Sequence, residues 1–140
     1  MTDHTRFRDL LKQFREERGL SGKDVANRIG ITSSRYSRIE NGIELENGAE
    51  LRVEAATILK VATALELSEY ETIKLLLAGG RVPERIKDIL SRKPYLIFVL
   101  EDIDRLSDED VQHTLLEIEK LANKGESSPI EAQDEKAESM

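Results

Sequence analysis

Two short helix patterns, separated by a turn of only a few residues, constrain the fold of this chain more than any other feature of its sequence. In the first pattern, Ser21 is a helix cap with Asp24 three positions later, and Gly30 ends the helix. In the second, Thr32 is the cap of a helix over Ser33–Glu40, which ends at Asn41-Gly42. Such a pair buries little apolar surface by itself, so it requires another helix to pack against.

The N-terminal segment supplies that helix. Residues 6–18 predict a first helix, and Gly19 follows as a stop signal. Its apolar residues fall at helical spacing: Phe7, Leu10, Leu11 and Phe14.

Residues 43–80 predict a loop and two further helices. The segment 43–48, IELENG, is interpreted as the loop, and a fourth helix is predicted from Ala49. Ser68 and Glu71 form a capping box that opens a fifth helix, which runs through Leu77. No clean period-two alternation is evident, so the first eighty residues are predicted to be all α.

The chain changes character after Gly79-Gly80, where a domain boundary is predicted. A short helix begins at Pro83. The apolar run within residues 93–106 fits a buried strand or a helix, and the absence of a partner strand favours the helix. Ser107 caps a last helix, and the acidic, aperiodic residues 125–140 predict a disordered tail.

Composition excludes several classes of protein. The chain of 140 residues has no cysteine, which excludes disulfides and thiolate metal sites, and His4 and His113 lack the spacing of a zinc or histidine-base motif. No apolar run is long enough to span a bilayer, which favours a soluble cytoplasmic protein. No nucleophile-base, paired-carboxylate or phosphate-loop motif has convincing spacing, so we expect no enzyme activity, no cofactor and no metal.

The net charge of −7 is unevenly distributed along the chain. The last forty residues hold thirteen Asp and Glu against four Lys and Arg, so the first hundred residues are slightly basic. The negative net charge of the whole chain therefore does not argue against a nucleic-acid partner for its N-terminal half.

Residues 6–42 resemble the helix-turn-helix domain of the phage lambda repressor and Cro class, the XRE-type group of regulators. The resemblance rests on Gly30 in the turn, on Ala26 at the crossing of the two helices and on the ending RIENG. The segment ILKVATALELS extends it to about Leu77. It implies a five-helix lambda-repressor-like domain. With the small helical C-terminal module and the disordered acidic tail predicted above, the protein is predicted to be all α.

The resemblance also implies a function. Members of this group are sequence-specific transcriptional regulators, more often repressors, and usually bind an inverted-repeat operator as homodimers. The helix Ser33–Glu40 would enter the major groove, and Arg15 would form a structural ion pair with Glu40. By analogy the base-contacting residues are Ser33, Ser34, Arg35 and Arg38. The candidate phosphate contacts are Lys23, Arg28, Ser37 and Asn41, although Lys23 and Arg28 fit a solvated surface equally well.

Two features depart from the family pattern. Gly22 stands where relatives often carry a glutamine that contacts phosphate. The connection after the third helix is several residues longer than usual and carries Glu44 and Glu46, whose carboxylates would weaken DNA binding if they faced phosphates.

The C-terminal module leaves two interpretations open. Residues 81–124 either pair two subunits or receive a signal or a protein partner, behind a DNA-binding domain of residues 1–80. Candidate residues for dimer contact or for packing within the chain are Leu96, Phe98, Val111, Leu115, Ile118 and Leu121. The alternative to DNA binding is a helix-turn-helix adaptor that binds proteins, which the acidic loop and tail would favour.

Overall fold

The computed structural model describes the backbone of residues 3–139 and the side chains of residues 6–124. Within these residues the chain forms eight helices and one two-stranded antiparallel sheet. In chain order the elements are α1 (Asp3–Glu17), α2 (Gly22–Ile29), α3 (Ser33–Glu40), β1 (Ile43–Glu46), β2 (Ala49–Arg52), α4 (Ala55–Ala64), α5 (Glu69–Ala78), α6 (Glu84–Arg92), α7 (Leu96–Asp104) and α8 (Asp108–Ser139). The predominantly helical fold is confirmed, including the helix favoured for the apolar run in α7. The disordered tail predicted for residues 125–140 stays a prediction; the structure describes the backbone of residues 125–139 as the last part of α8 but not their side chains.

The segment between α3 and α4 is a β-hairpin, which corrects the predicted loop at residues 43–48. The fourth helix begins at Ala55 and not at Ala49, so the first eighty residues are not all α. Asn47 and Gly48 have φ angles of 52° and 82°, both positive, as the two central residues of a type I′ hairpin turn require. The strands pair Ile43 with Arg52 and Glu46 with Ala49. Asn-Gly after the alternating residues IELE is the hairpin signal that the sequence interpretation missed.

One apolar core joins α1 to α5. Side chains from all five helices are buried in it, and Val53, directly before α4, is buried with them. Leu10, Ile29 and Ile31 are partly buried at its margin. The buried core consists of Phe7, Leu11, Phe14, Val25, Ala26, Tyr36, Ile39, Val53, Ile58, Val61, Leu65, Leu75, Leu76 and Ala78. The short helices α2 and α3 therefore pack on α1, α4 and α5, as their small apolar faces require.

Two capping boxes fix the starts of α2 and α5. The Asp24 backbone N–H donates to Ser21 Oγ at 3.1 Å, and the Ser21 N–H donates to the Asp24 carboxylate at 2.8 Å. Ser68 and Glu71 make the same reciprocal bonds at 3.1 and 2.9 Å. Both capping boxes were predicted from sequence, because a capping box is defined by residues only three positions apart.

Acid is expected to weaken both capping boxes. The hydrogen bond from the Ser21 backbone lowers the pKa of Asp24, and the bond from the Ser68 backbone lowers the pKa of Glu71. A carboxyl group with a lowered folded-state pKa stabilises the fold above its unfolded pKa, about 4, and that contribution is lost as pH falls through the folded value. The free energy of unfolding should therefore decrease below about pH 4.

Urea denaturation at pH 7 and at pH 3 measures this effect. In the Glu71→Gln variant the decrease between the two pH values should be smaller than in the wild type, because the amide does not titrate. Equal decreases in the two proteins would contradict the assignment.

The chain divides into two compact units, residues 1–89 and residues 90–140. The division falls within α6, whereas the predicted boundary at Gly79-Gly80 lies at the end of α5. The first unit contains the core and the hairpin. In the second unit, none of residues 90–124 is buried.

Candidate nucleic-acid interface

The turn between α2 and α3 has the geometry of a tight helix corner. Gly30 ends α2 with φ 74° and ψ 35°, a left-handed conformation that glycine adopts without a Cβ penalty. The Ile31 N–H then donates to the Ala26 carbonyl at 3.0 Å. Thr32 caps α3, because its hydroxyl accepts from the Arg35 N–H at 3.0 Å. Local hydrogen bonds within the turn thus help to set the direction of α3 relative to α2.

Helix α3 has one buried face and one exposed face. Tyr36 and Ile39 are 2% and 1% exposed and pack into the core. Ser33, Ser34, Arg35 and Ser37 are exposed, and Arg38 is half-buried. The exposed face carries short hydroxyls and two arginines, the side-chain types that donate to base edges in a major groove roughly 12 Å wide.

A cluster of three polar side chains holds the end of α3 against α1. Arg15 donates to both oxygens of Glu40, at 2.7 and 3.2 Å, and also to the Leu20 carbonyl at 2.9 Å. The Tyr36 hydroxyl donates to the same carboxylate at 3.0 Å. The side chains of Arg15 and Glu40 are only 13% and 17% exposed. The hydrogen bond to Glu40 raises the pKa of Arg15, and burial raises the pKa of Tyr36, so Arg15 stays protonated and the Tyr36 hydroxyl stays neutral at neutral pH.

The four residues predicted to contact bases lie together on α3. Ser33 and Ser34 occupy its first turn, and the Arg38 guanidinium donates to Ser34 Oγ at 3.3 Å. Arg35 points toward the hairpin, with its Nη2 3.4 Å from an oxygen of Glu44. The structure therefore distinguishes the two arginines: Arg38 lies against a serine of the same exposed face, whereas Arg35 contacts a carboxylate.

The four residues predicted to contact phosphate differ in their surroundings. Lys23 and Ser37 are exposed on α2 and α3. Asn41 is exposed after α3, and its amide donates to the Ser37 carbonyl at 3.0 Å. Arg28 instead donates to the Ala64 carbonyl at the end of α4, at 2.7 Å. A cation at a helix C-terminus is stabilising, so this contact favours a structural role for Arg28.

Gly22 lies close to the aromatic ring that seats α3. A Cβ at Gly22 would lie 3.2 Å from a ring carbon of Tyr36, closer than an ordinary contact. The Tyr36 ring therefore leaves little room for a side chain at position 22, where relatives often carry glutamine.

Glu44 is the residue of this surface that the sequence interpretation placed least well. Its carboxylate, only 16% exposed, accepts from the Glu54 N–H and from the Thr57 hydroxyl, both at 3.3 Å, as well as from Arg35. It is therefore folded into the domain and is not part of a solvated loop. The Asn47-Gly48 turn was the only local signal for this, because it indicates the hairpin that brings residue 44 back toward α4.

The residues predicted for dimer contact or internal packing lie on α7 and α8. Leu96 and Val111 are partly buried. Phe98 is 69% exposed and Leu121 is 67% exposed, and Leu115 and Ile118 are about half exposed. Packing within the chain thus leaves most of this apolar surface uncovered. Within the described residues, no helix is both long enough and apolar enough to cross a membrane.

Comparison with known proteins assigns the front half of the chain. A family model described as a helix-turn-helix domain matches residues 6–75, which is half of the chain and spans α2, the turn, α3 and the hairpin. No match was found among curated proteins or among solved structures. The matched residues are those that form the capped helix corner and its supporting core, and the chain therefore belongs to the helix-turn-helix domain family.

Proposed function

We propose that this protein is a cytoplasmic, XRE-type transcriptional regulator, most simply a repressor, that binds an inverted-repeat operator as a homodimer. It acts by binding and not as an enzyme. The observation that carries the proposal is the division of α3 into a buried face of Tyr36 and Ile39 and an exposed face of serines and arginines. A recognition helix needs both faces, one to fix its position and one to reach base edges.

Arg38 is the residue that we expect to dominate base discrimination. An arginine can donate two hydrogen bonds to one guanine, which discriminates against the wrong base by about 1 to 3 kcal/mol. Ser33 and Ser34 precede it on the same face and read bases less selectively. We expect Lys23, Ser37 and Asn41 to contact phosphates, and such contacts set affinity and its salt dependence.

The second unit supports dimer formation. A short recognition helix reads few base pairs, so pairing two copies on two half-sites raises both affinity and specificity. The apolar side chains of α7 and α8, among them Phe98 and Leu121, are exposed and none of residues 90–124 is buried. Exposed apolar surface of this kind marks an interaction site, and a second copy of the chain is the partner that an inverted repeat requires.

The hairpin favours a second candidate, a protein-binding adaptor. Leu45 and Leu51 are 50% and 45% exposed there, beside the exposed carboxylates of Glu46 and Glu50. An apolar and acidic surface suits a protein partner better than DNA. Under this candidate the protein would prefer no DNA sequence.

Selection of bound fragments from random DNA tests the two candidates. The wild type should enrich a motif with two-fold symmetry, and the Arg38→Ala variant should lose discrimination at one base of each half-site, about 10- to 100-fold. Arg85→Ala, which removes an exposed arginine of α6 outside the helix corner, is the matched control and should enrich the wild-type motif. Absence of any enriched motif for the wild type would favour the adaptor, and survival of the full motif in Arg38→Ala would contradict the assignment of α3.

A further inference from the structure

The carboxylate of Glu44 connects three elements of the DNA-binding unit. It lies on β1 and accepts hydrogen bonds from the backbone of Glu54 and from the hydroxyl of Thr57, at the start of α4. Its third contact is Arg35 on the exposed face of α3, with 3.4 Å between Arg35 Nη2 and Glu44 Oε1. One side chain thus joins the hairpin, α4 and the candidate recognition helix.

Two of these contacts fix Glu44 in place. The residue at the cap position of α4 is Glu54, whose own side chain makes no capping hydrogen bond. The Glu44 carboxylate supplies an acceptor at this helix start, because it accepts from the N–H of the cap residue and from the side-chain hydroxyl of Thr57, the third residue of the helix. A negative charge at a helix N-terminus is stabilising, and the side chain is only 16% exposed. Glu44 is therefore a fixed acceptor and not a mobile surface carboxylate.

The third contact concerns a residue of the proposed interface. The Arg35 side chain is 52% exposed and makes its side-chain contact with the fixed carboxylate. An unrestrained arginine at this position would bind any nearby phosphate, which raises affinity for all DNA sequences equally. An arginine that is held by a carboxylate keeps its own charge, but the pair has no net charge and the guanidinium has fewer available directions.

We propose that Glu44 is a positioning residue that sets the specificity of α3 by restraining Arg35. By holding the guanidinium against the hairpin, Glu44 withholds it from the phosphate backbone, so that Arg35 adds little to binding of unrelated DNA. The proposal rests on the proposed DNA-binding function. It also gives the acidic hairpin a role at the interface.

The test is the binding of the full chain to its selected operator and to an unrelated duplex over a range of salt concentrations. In Glu44→Gln the amide oxygen can still accept from the Glu54 N–H, but the charge that holds Arg35 is lost. Affinity for unrelated DNA should rise about 3- to 10-fold, and the slope of log K against log salt should steepen by up to about 0.9, the value of one added phosphate contact. The operator ratio, which is the affinity for the operator divided by the affinity for unrelated DNA, should fall accordingly.

A double-mutant comparison separates positioning from simple charge. Loss of a negative charge alone would strengthen DNA binding whether or not Arg35 is present. If Glu44 acts through Arg35, the effect of Glu44→Gln should fall to less than about 2-fold in the Arg35→Ala background, the size expected for loss of a charge alone. Glu46→Gln removes the same charge from an exposed position two residues further along β1 and should change the operator ratio less than 2-fold.

Several results would overturn the proposal. One is an equal effect of Glu44→Gln with and without Arg35, and another is an effect of Glu46→Gln as large as that of Glu44→Gln. A Glu44→Gln variant that is stably folded by circular dichroism and retains the wild-type affinity, salt slope and operator ratio would overturn it while leaving the proposed function intact. A wild type that selects no sequence would overturn both.

Discussion

The Glu40→Ala variant is expected to unfold with a free energy about 2 to 4 kcal/mol lower than that of the wild type. The variant leaves the Arg15 guanidinium without its bidentate partner and the Tyr36 hydroxyl without its acceptor, in a site where both ion-pair side chains are less than one-fifth exposed. Removing one member of a poorly solvated pair costs more than the pair contributes, because the remaining charge stays partly desolvated. Urea denaturation followed by circular dichroism measures the difference.

An exposed ion pair provides the control for Glu40→Ala. Arg85 and Glu69 lie 2.7 Å apart, but their side chains are 58% and 74% exposed. Arg85→Ala should therefore change the free energy of unfolding by no more than about 0.5 to 1 kcal/mol. Equal small effects of both variants would show that the Arg15 and Glu40 cluster contributes no more than a surface pair.

The Phe98→Asp and Leu121→Asp double variant is expected to be monomeric and to bind the operator at least about 100-fold more weakly than the wild type. Both side chains are about two-thirds exposed, so a carboxylate is tolerated in the single chain but not in an interface between two chains. A monomer loses the high effective concentration of the second recognition helix, which is the source of the weakening. Sedimentation velocity gives the oligomeric state, and a titration of operator DNA gives the affinity.

Tyr70→Asp is the matched control for this double variant. Tyr70 is 73% exposed on α5, and its replacement also removes an exposed aromatic side chain and adds one negative charge. It should remain dimeric with near wild-type affinity. A dimeric double variant, or a monomeric Tyr70→Asp variant, would contradict the assignment of the pairing surface to α7 and α8.

The helix corner was predictable because its determinants are local. The caps Ser21 and Thr32 act on residues three positions away, and Gly30 acts on its own backbone. The contact between Arg15 and Glu40 joins residues 25 positions apart, and only the family resemblance suggested it. Spacing alone does not predict such a pair.

The hairpin was missed for a different reason. Its strands are four residues each, and acidic residues at alternate positions of β1 resemble a solvated loop. The contact between Arg35 and Glu44 depends on this hairpin, because an extended loop would not return residue 44 to the start of α4. Arg28 illustrates the same limit, since its carbonyl partner Ala64 lies 36 positions away.

The separation of the two faces of α3 has an evolutionary consequence. Ser33, Ser34, Ser37 and Arg38 lie outside the core, so under the proposed function their replacement should alter the recognised DNA with little effect on folding. If the proposed function holds, new operators should be accessible through single substitutions that leave the protein folded at every step. Position 35 differs, because its partner Glu44 also caps α4. A lineage that changes Arg35 would still need the Glu44 carboxylate at the start of α4, so position 35 is constrained by a neighbouring negative charge, whereas the serines can vary independently.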